Sequence, residues 1–198
     1  KTRTLIIPGY AAAISGDRLV VASYNGRLSG EVLCVDRNGN GDGTTELYWS
    51  FDLPAGSFAT PSIADGTVYV GCGDYQTPKE PVYNTYALDL DSSGEIGLLG
   101  EEWHYTSTQR FLAAAVPYGD AVYVADMGGT VSCLDPTPGL DKGVRALWSF
   151  DTGGDVWATP LIAGDRLVVG NFAGEVHCLG LEGDEAGQEL WSVGATDG

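Results

Sequence analysis

Apolar residues recur along the chain in short runs separated by turns rich in glycine and aspartate. The most regular run is apolar at successive positions and occurs four times, as Leu19-Val-Val, Val68-Tyr-Val, Val122-Tyr-Val and Leu167-Val-Val. β-branched and aromatic residues favour strands. Apolar residues at successive positions indicate a strand buried on both faces. The pattern therefore predicts that each sheet has another sheet packed on both of its faces.

Two further landmarks follow each run in the same order. A second strand is predicted at Glu31–Asp36, Asn84–Asp89, Thr130–Asp135 and Glu175–Gly180. Each unit then closes on a tryptophan, at Trp49, Trp103, Trp148 and Trp191. A sequence period of roughly 50 residues indicates a repeat architecture, in which each period is one structural unit. Four repeats are therefore expected, at approximately 10–53, 58–107, 111–152 and 157–194.

Each unit is expected to contain four strands, called A to D. In the last repeat they are predicted at Ala158–Ile162, Arg166–Gly170, Glu175–Leu179 and Glu189–Val193. Strand A consists of small residues, which suit a crowded centre. Four-stranded sheets packed face to face around an axis form a β-propeller. We therefore predict a single all-β domain over 1–198, built from four four-stranded antiparallel blades, with helix nearly absent.

The N-terminal residues 1–9 lie outside the repeats and include the β-favouring run Thr4–Ile7. This run is interpreted as an extra edge strand or as the last strand of a unit that the chain lacks. Because repeats are open at their ends unless closed or capped, four units allow three arrangements. They are a closed four-bladed ring, a ring shared by two copies, or part of a larger propeller or array.

The units resemble the repeats of quinoprotein-type (PQQ-like) β-propellers, and Tyr86-Ala-Leu-Asp and Trp148-Ser-Phe-Asp carry the resemblance best. It covers nearly the whole chain and is specific for the fold. Members of that family include periplasmic quinone-dependent dehydrogenases, noncatalytic outer-membrane assembly lipoproteins and sensor domains. They usually have seven or eight blades, so four units are about half of a ring.

The chain is not expected to be an enzyme. A quinone enzyme of that family would show two adjacent cysteines and a ring of eight blades, and neither is found, so PQQ is not an expected cofactor. His104 and His177 are interpreted as strand residues. Cys34, Cys133 and Cys178 occupy one position of different repeats, too far apart for a disulfide, and are expected to be small buried residues.

The acidity of the chain limits its partners. The formal net charge is -17 and the pI about 4.1, which argues against nucleic acid as a partner because binding it requires a basic surface. No apolar run is long enough to span a membrane. The acidity fits solubility, divalent cations or a habitat of high salt.

Calcium is the cation that the loops between strands C and D suggest. Alternate oxygen-bearing residues with glycine in the sixth position match the first half of a calcium loop. In repeat 1 the candidate ligands are Asp36, Asn38, Asn40, Asp42 and Glu46. In repeat 2 they are Asp89, Asp91, Ser93 and Glu95. The alternative is that these residues simply form tight turns.

Binding residues are expected on one propeller face. The loops from strand D to strand A carry Phe58, Phe111 and Trp157, with Arg110 beside Phe111, and aromatic residues that converge there would form a patch. Alternatively, they fill the junctions between blades. The long B-to-C loop of repeat 2 carries Tyr75 and Tyr83 and is a natural contact element.

These observations favour a noncatalytic, extracytoplasmic binding or assembly module, with a protein partner or self-association. Two alternatives stay open at this point. One is a structural subunit of a surface filament or layer. The other is a fragment of a quinone-dependent dehydrogenase.

Overall fold

A computed structural model describes residues 12–24, 29–73, 83–95 and 100–194. Within these ranges the chain forms short strands, and its helical content is one three-residue 3-10 turn, Gly183–Glu185. No helix in the described ranges has the length and apolar character needed to cross a membrane. The segment Thr4–Ile7 and the loop residue Tyr75 lie outside the described residues.

The strands group into four sheets, which are the predicted blades. Blade 1 contains β1 (Ala13–Ser15), β2 (Arg18–Tyr24), β3 (Gly30–Asp36) and β4 (Leu47–Leu53). Blade 2 contains β5 (Ser62–Ala64), β6 (Thr67–Gly71), β7 (Tyr83–Asp89) and β9 (Glu101–Ser107), and β8 (Gly94–Glu95) joins blade 1. Blade 3 contains β10 (Val116–Tyr118), β11 (Ala121–Ala125), β12 (Thr130–Asp135) and β13 (Arg145–Asp151). Blade 4 contains β14 (Leu161–Ala163), β15 (Arg166–Gly170), β16 (Glu175–Gly180) and β17 (Glu189–Gly194).

Each blade is an antiparallel meander in which strands pair in their order along the chain, and in blade 2 β7 pairs with β9 because β8 lies against blade 1. This confirms the all-β, four-bladed fold class. The tryptophans of strand D lie opposite equivalent residues of strand C, with Cys34, Ala87, Cys133 and Cys178 as their partners. The ladder shifts register immediately after each of these four partners. A bulge inserts one unpaired residue and re-aims its neighbour, so the shared bulge orients each tryptophan in the same way.

The core consists of apolar layers between successive blades. This arrangement buries both faces of the strands that are apolar at successive positions. The back of blade 1, with Val32 and Trp49, packs in one cluster with Val68 and Val70 of blade 2. The back of blade 3 packs in the same manner with Leu167 of blade 4 and its neighbours. We call the side of a blade that contacts the following blade its back face, and the side that contacts the preceding blade its front face.

All four cysteines are buried free thiols. Burial raises the pKa of the Cys34 and Cys133 thiols above the ordinary value, so both are protonated at neutral pH and poorly reactive. Their place opposite the tryptophans supports the prediction that they are small packing residues.

Candidate interaction surfaces

The loop Asp36–Glu46, called the Asp36 loop, is closed by its own polar groups. The Asp36 carboxylate accepts hydrogen bonds from the backbone N–H of Asn38 at 2.8 Å and from the Asn38 amide at 3.0 Å. Asp42 accepts from the Thr44 backbone N–H at 2.9 Å. Hydrogen bonds from Thr44 lower the pKa of the Asp42 carboxyl. These are the turn bonds expected of aspartate, and they support the turn interpretation.

The second predicted calcium loop is folded against blade 1. Its strand β8 pairs in parallel with β4, so that Gly94 lies opposite Trp49. The Trp49 indole N–H donates to the Leu90 carbonyl at 2.9 Å, and Asp91 pairs with Arg18 of blade 1 at 3.3 Å. Asp89 accepts from the Asp91 backbone N–H at 2.9 Å. Asp91 is thus part of a blade junction.

The same contact recurs at the next blade. The His104 backbone N–H, on the outer strand of blade 2, donates to the Lys142 carbonyl at 3.0 Å, and the Val144 N–H donates to the His104 carbonyl at 2.9 Å. In blade 4, Gly187 lies so close to Trp148 that an added Cβ would be 2.8 Å from the indole ring. Each of these C-to-D loops therefore clasps the outer strand of the preceding blade, and we call this contact the backward clasp.

No group of three or more histidine, cysteine, aspartate or glutamate side chains suited to a metal occurs in the described ranges. The Asp36 loop also offers the amide oxygens of Asn38 and Asn40, which are calcium ligands in their own right. Ser93 is exposed at the turn into β8, and the backbone of Glu95 is committed to pairing with Ser50. Calcium in either loop stays a prediction.

Phe111 lies in the core, which corrects its expected place on an exposed rim. Its side chain is 1% exposed, and its backbone N–H donates to the Cys72 carbonyl at 3.3 Å. Ser57 makes the equivalent bond to the Ser23 carbonyl, so Phe111 corresponds to the buried Ser57 and not to Phe58. A Cβ added at Gly71 would be 2.5 Å from the Phe111 Cβ. The ring thus fills a junction, as the alternative interpretation anticipated.

The other predicted binding residues are divided between core and surface. Tyr83 is buried, with the Arg110 guanidinium 5.7 Å from its ring centre. Phe58 is half-buried and stacks on Tyr24 with ring centres 5.6 Å apart. Neither Tyr83 nor Phe58 therefore presents a fully exposed ring.

Trp157 is 42% exposed and contacts the 66%-exposed Phe172, with ring centres 4.5 Å apart. We call Trp157 and Phe172 the aromatic pair. Phe172 was not among the predicted binding residues, although its place in a short B-to-C turn next to a D-to-A loop could have identified it. The Phe172 N–H donates to the Asp155 carbonyl at 2.8 Å, and Met127 and Arg110 make the equivalent bond in blade 3.

Both histidines are strand residues held by carboxylates. His104 Nδ1 lies 2.6 Å from Glu101 Oε1, and His177 Nδ1 lies 2.7 Å from Glu189 Oε1. The bond to His177 is the largest cause that lowers the pKa of Glu189. His177 packs on Phe150 of blade 3, with ring centres 5.7 Å apart. Both imidazoles therefore have structural partners at or near a blade junction.

The back face of blade 4 is an apolar surface without a following blade among the described residues. Trp191 is 49% exposed and Val193 57%, whereas Trp49 at the matching position of blade 1 is fully buried. Val176 is 37% exposed and Val131, its counterpart in blade 3, is fully buried. Exposed apolar patches mark sites of contact.

These repeats have known relatives. The family model for outer membrane protein assembly factor BamB matches residues 100–198. The chain belongs to this family. The BamB match covers blades 3 and 4 together with the outer strand of blade 2.

The crystal structure of BamB from Moraxella catarrhalis has the same fold, with a TM-score of 0.64 and 19% sequence identity. The alignment covers 96% of this chain and 49% of the BamB chain, so this chain spans about half the length of that protein. A search of curated proteins returns no match.

Proposed function

We propose that this chain is a noncatalytic, extracytoplasmic protein-binding module that takes part in assembling other proteins. The family model supports this proposal, because it describes an outer membrane protein assembly factor. The chemistry of the histidines supports it too, since both are held by carboxylates in structural contacts. Binding, unlike catalysis, needs only an exposed surface of suitable shape.

The aromatic pair is the observation that carries the proposal. Trp157 and Phe172 expose apolar rings side by side, and aromatic residues are enriched at the energetic centres of interfaces. Asp155, whose backbone holds Phe172, is itself exposed. A partner segment with an apolar side chain flanked by a basic one would match this surface in shape and charge.

The experiment compares three versions of the chain in cross-linking capture from an extracytoplasmic extract. They are the native chain, Trp157→Ala/Phe172→Ala, and the control Leu140→Ala, which removes an apolar side chain that is fully exposed elsewhere. One reproducible partner that the native and control chains capture and the double variant loses is the expected result. Equal capture by all three chains would move the binding site away from the aromatic pair.

The rival functions give different results in the same material. A structural subunit of a filament or layer would capture only further copies of itself. A fragment of a quinone-dependent dehydrogenase would reduce a redox dye when supplied with PQQ and an alcohol or sugar, since oxidation of that substrate supplies the electrons that PQQ passes to the dye. Absence of dye reduction, together with a foreign partner, is what the present proposal expects.

Calcium is proposed to stiffen the exposed Asp36 loop, because carboxylate and amide oxygens alternate along it. The expected result is a higher melting temperature with calcium in the native chain and no such rise in Asp36→Ala. Asp165→Ala is the matched comparison, since Asp165 is an exposed aspartate outside both candidate loops. Equal melting temperatures with and without calcium in the native chain would contradict the proposal.

A further inference from the structure

A surface cavity of about 150 Å³ lies at the junction between blades 2 and 3, beside their A-to-B turns. Its walls combine aromatic, proline and acidic side chains, from Tyr69, Tyr118, Pro117, Pro136, Asp65 and Asp120. Asp65, Tyr118 and Asp120 are exposed, so the cavity opens to solvent. A cavity of this size holds several water molecules, and a small planar group therefore fits inside it.

The two carboxylates of the cavity lack partners. Within the described ranges, neither Asp65 nor Asp120 forms an ion pair or accepts a hydrogen bond through its side chain. In blade 4, by contrast, the turn carboxylate of Asp165 pairs with Arg166 at 3.0 Å. Two negative charges at one cavity attract a cation and repel an anion.

The backbone at the cavity also offers an acceptor. In the other three blades, the carbonyl of the second turn residue accepts a hydrogen bond from the backbone N–H of the residue that follows strand C. The donors are Arg37, Leu90 and Leu181, and the acceptors are Asp17, Gly66 and Asp165, at 2.9, 2.9 and 3.0 Å. In blade 3 the donor position is Pro136, which has no N–H. The Asp120 carbonyl therefore lacks this bond.

Blades 1 and 4 show which group is missing beside Asp120. Their turns continue as Gly-Asp-Arg at residues 16–18 and 164–166, whereas blade 3 has Gly-Asp-Ala at residues 119–121. The Arg18 guanidinium lies 4.5 Å from the ring centre of Tyr48 and pairs with Asp91 at 3.3 Å. An arginine at this position of blade 1 therefore contacts both an aromatic ring and a carboxylate. Blade 3 has a carboxylate and neighbouring rings, but no arginine.

We infer that the cavity binds the arginine side chain of a partner segment, in place of the guanidinium that blade 3 lacks. The guanidinium donates to the Asp65 and Asp120 carboxylates and to the Asp120 carbonyl. Its flat faces contact the rings of Tyr69 and Tyr118. Arginine suits this set because its five N–H donors form a planar fork that also stacks on aromatic rings. The inference goes beyond the proposed function and does not rest on the aromatic pair, which lies at the other ends of the strands.

The charges around the cavity favour a cation. The formal net charge of the chain is -17, and an acidic surface attracts basic segments. Glu102 adds a third carboxylate near Tyr69, where it accepts a hydrogen bond from Thr67 at 3.0 Å. Burial raises the pKa of the Tyr69 phenol, and the negative charges of Glu102 and Asp65 raise it further. The phenol is therefore uncharged at neutral pH, and the face of its ring attracts a cation.

Nuclear magnetic resonance titration of the native chain tests the site. The probe is the capped tripeptide acetyl-Gly-Arg-Gly-amide, and its control is the same peptide with citrulline, which keeps the shape of arginine without the charge. Chemical-shift changes are expected to centre on residues 64–69 and 118–122. The citrulline peptide is expected to bind about tenfold more weakly, because it has no charge to pair with the two carboxylates.

Three variants test whether the peptide contacts the cavity. Asp120→Asn removes one carboxylate charge and should weaken binding of the arginine peptide about fivefold. Asp184→Asn, the matched control, changes an exposed aspartate of blade 4 and should bind the peptide as the native chain does. Ala121→Arg restores the Gly-Asp-Arg order of blades 1 and 4. It is expected to pair with Asp120 and to prevent binding, while the spectrum remains that of a folded chain.

Equal affinities for the arginine and citrulline peptides would overturn the inference, and so would chemical-shift changes spread over the whole acidic surface. Equal affinities of Asp120→Asn and Asp184→Asn would also contradict it, because the cavity carboxylate would then take no part. Free arginine should bind more weakly than the capped peptide, since the acidic cavity repels its carboxylate. Tighter binding of free arginine would overturn the assignment to a partner segment. If Ala121→Arg does not fold, the comparison of Asp120→Asn with Asp184→Asn decides.

Discussion

Blades 1 and 4 place the same kinds of residue at the same positions, yet they differ in what is buried. Cys34 lies opposite Trp49 and Cys178 lies opposite Trp191, with the same bulge beside each pair. Trp49 is fully buried, whereas Trp191 is 49% exposed. The sheet is therefore determined within the repeat, and the burial of its tryptophan is determined by the next blade. A tryptophan in a repeat belongs to the core only where a following blade covers it.

The largest difference is expected between the two tryptophans. Trp49→Ala should lower the free energy of unfolding by about 3–5 kcal/mol, because it leaves a cavity and removes the hydrogen bond to Leu90. Trp191→Ala should cost less than about 1.5 kcal/mol, since half of its surface already contacts water. Urea unfolding of dilute, monomeric samples measures both values. Equal losses of unfolding free energy in the two variants would contradict the conclusion that Trp49 is part of the core and Trp191 is not.

The glycines at the end of strand B allow the same comparison between a covered and an open blade, because Gly→Ala adds a single methyl group at Gly71 in blade 2 and at Gly170 in blade 4. Gly71→Ala should destabilise the fold by about 1–3 kcal/mol, because its Cβ would be 2.5 Å from the buried Phe111 Cβ. Gly170→Ala should change stability by about 0.5 kcal/mol or less, since the nearest atom to its Cβ is 3.8 Å away. Thermal melts of the two variants provide the measurement, and a larger loss for Gly170→Ala would contradict this account of the junction.

The ion pair of the backward clasp has a smaller expected effect. Asp91→Asn should reduce stability by about 0.2–1 kcal/mol, because the Asp91 side chain is 80% exposed and its pair with Arg18 is screened by water. The matched change is Asp165→Asn, which removes an exposed pair with Arg166 within blade 4. A loss in high salt as large as that in low salt would argue against an electrostatic origin.

The smallest effect is expected from Glu189 on the open blade. The hydrogen bond to His177 lowers its folded pKa, so the unfolded chain takes up this proton first as the pH falls. The associated stability is present above the unfolded pKa and is lost as the pH falls through the folded value. Glu189→Gln should therefore flatten the acid limb of a plot of melting temperature against pH. If the slope of the acid limb is the same in Glu189→Gln and in the native chain, Glu189 does not contribute to the loss of stability at low pH.

The fold could be predicted because the repeat provides several consistent landmarks. Successive apolar residues in strand B and one tryptophan per unit were enough to place four sheets and most strand boundaries. The equivalence of Cys34, Cys133 and Cys178 was also predictable, because strand C keeps constant spacing. The bulge before each tryptophan was not predictable, since no residue type at that position is shared by the four blades.

The candidate surface was harder to predict. Phe111 was grouped with Phe58 and Trp157 because all three are aromatic and precede a run of small residues that was predicted as strand A. The prediction of strand A was wrong by about three residues, since in blade 4 the strand is Leu161–Ala163 and not Ala158–Ile162. Their hydrogen bonds place Phe111 one position earlier, on the buried side of the junction. Phe172 was missed because, among the B-to-C connections, only the long loop of repeat 2 was considered as a contact element, and Phe172 lies in a short one. For Phe111 a shift of one residue decides between core and surface, and spacing alone does not resolve it.

The backward clasp sets the order in which the blades are covered during synthesis. During synthesis, the outer edge of a blade stays accessible until the C-to-D loop of the next repeat has emerged, because that loop supplies the groups that cover it. An accessible strand edge is where a sheet is most prone to pair with a foreign chain. A nascent chain that folds blade by blade therefore leaves one recent edge vulnerable at each stage, and a pause in translation within a C-to-D loop prolongs that exposure.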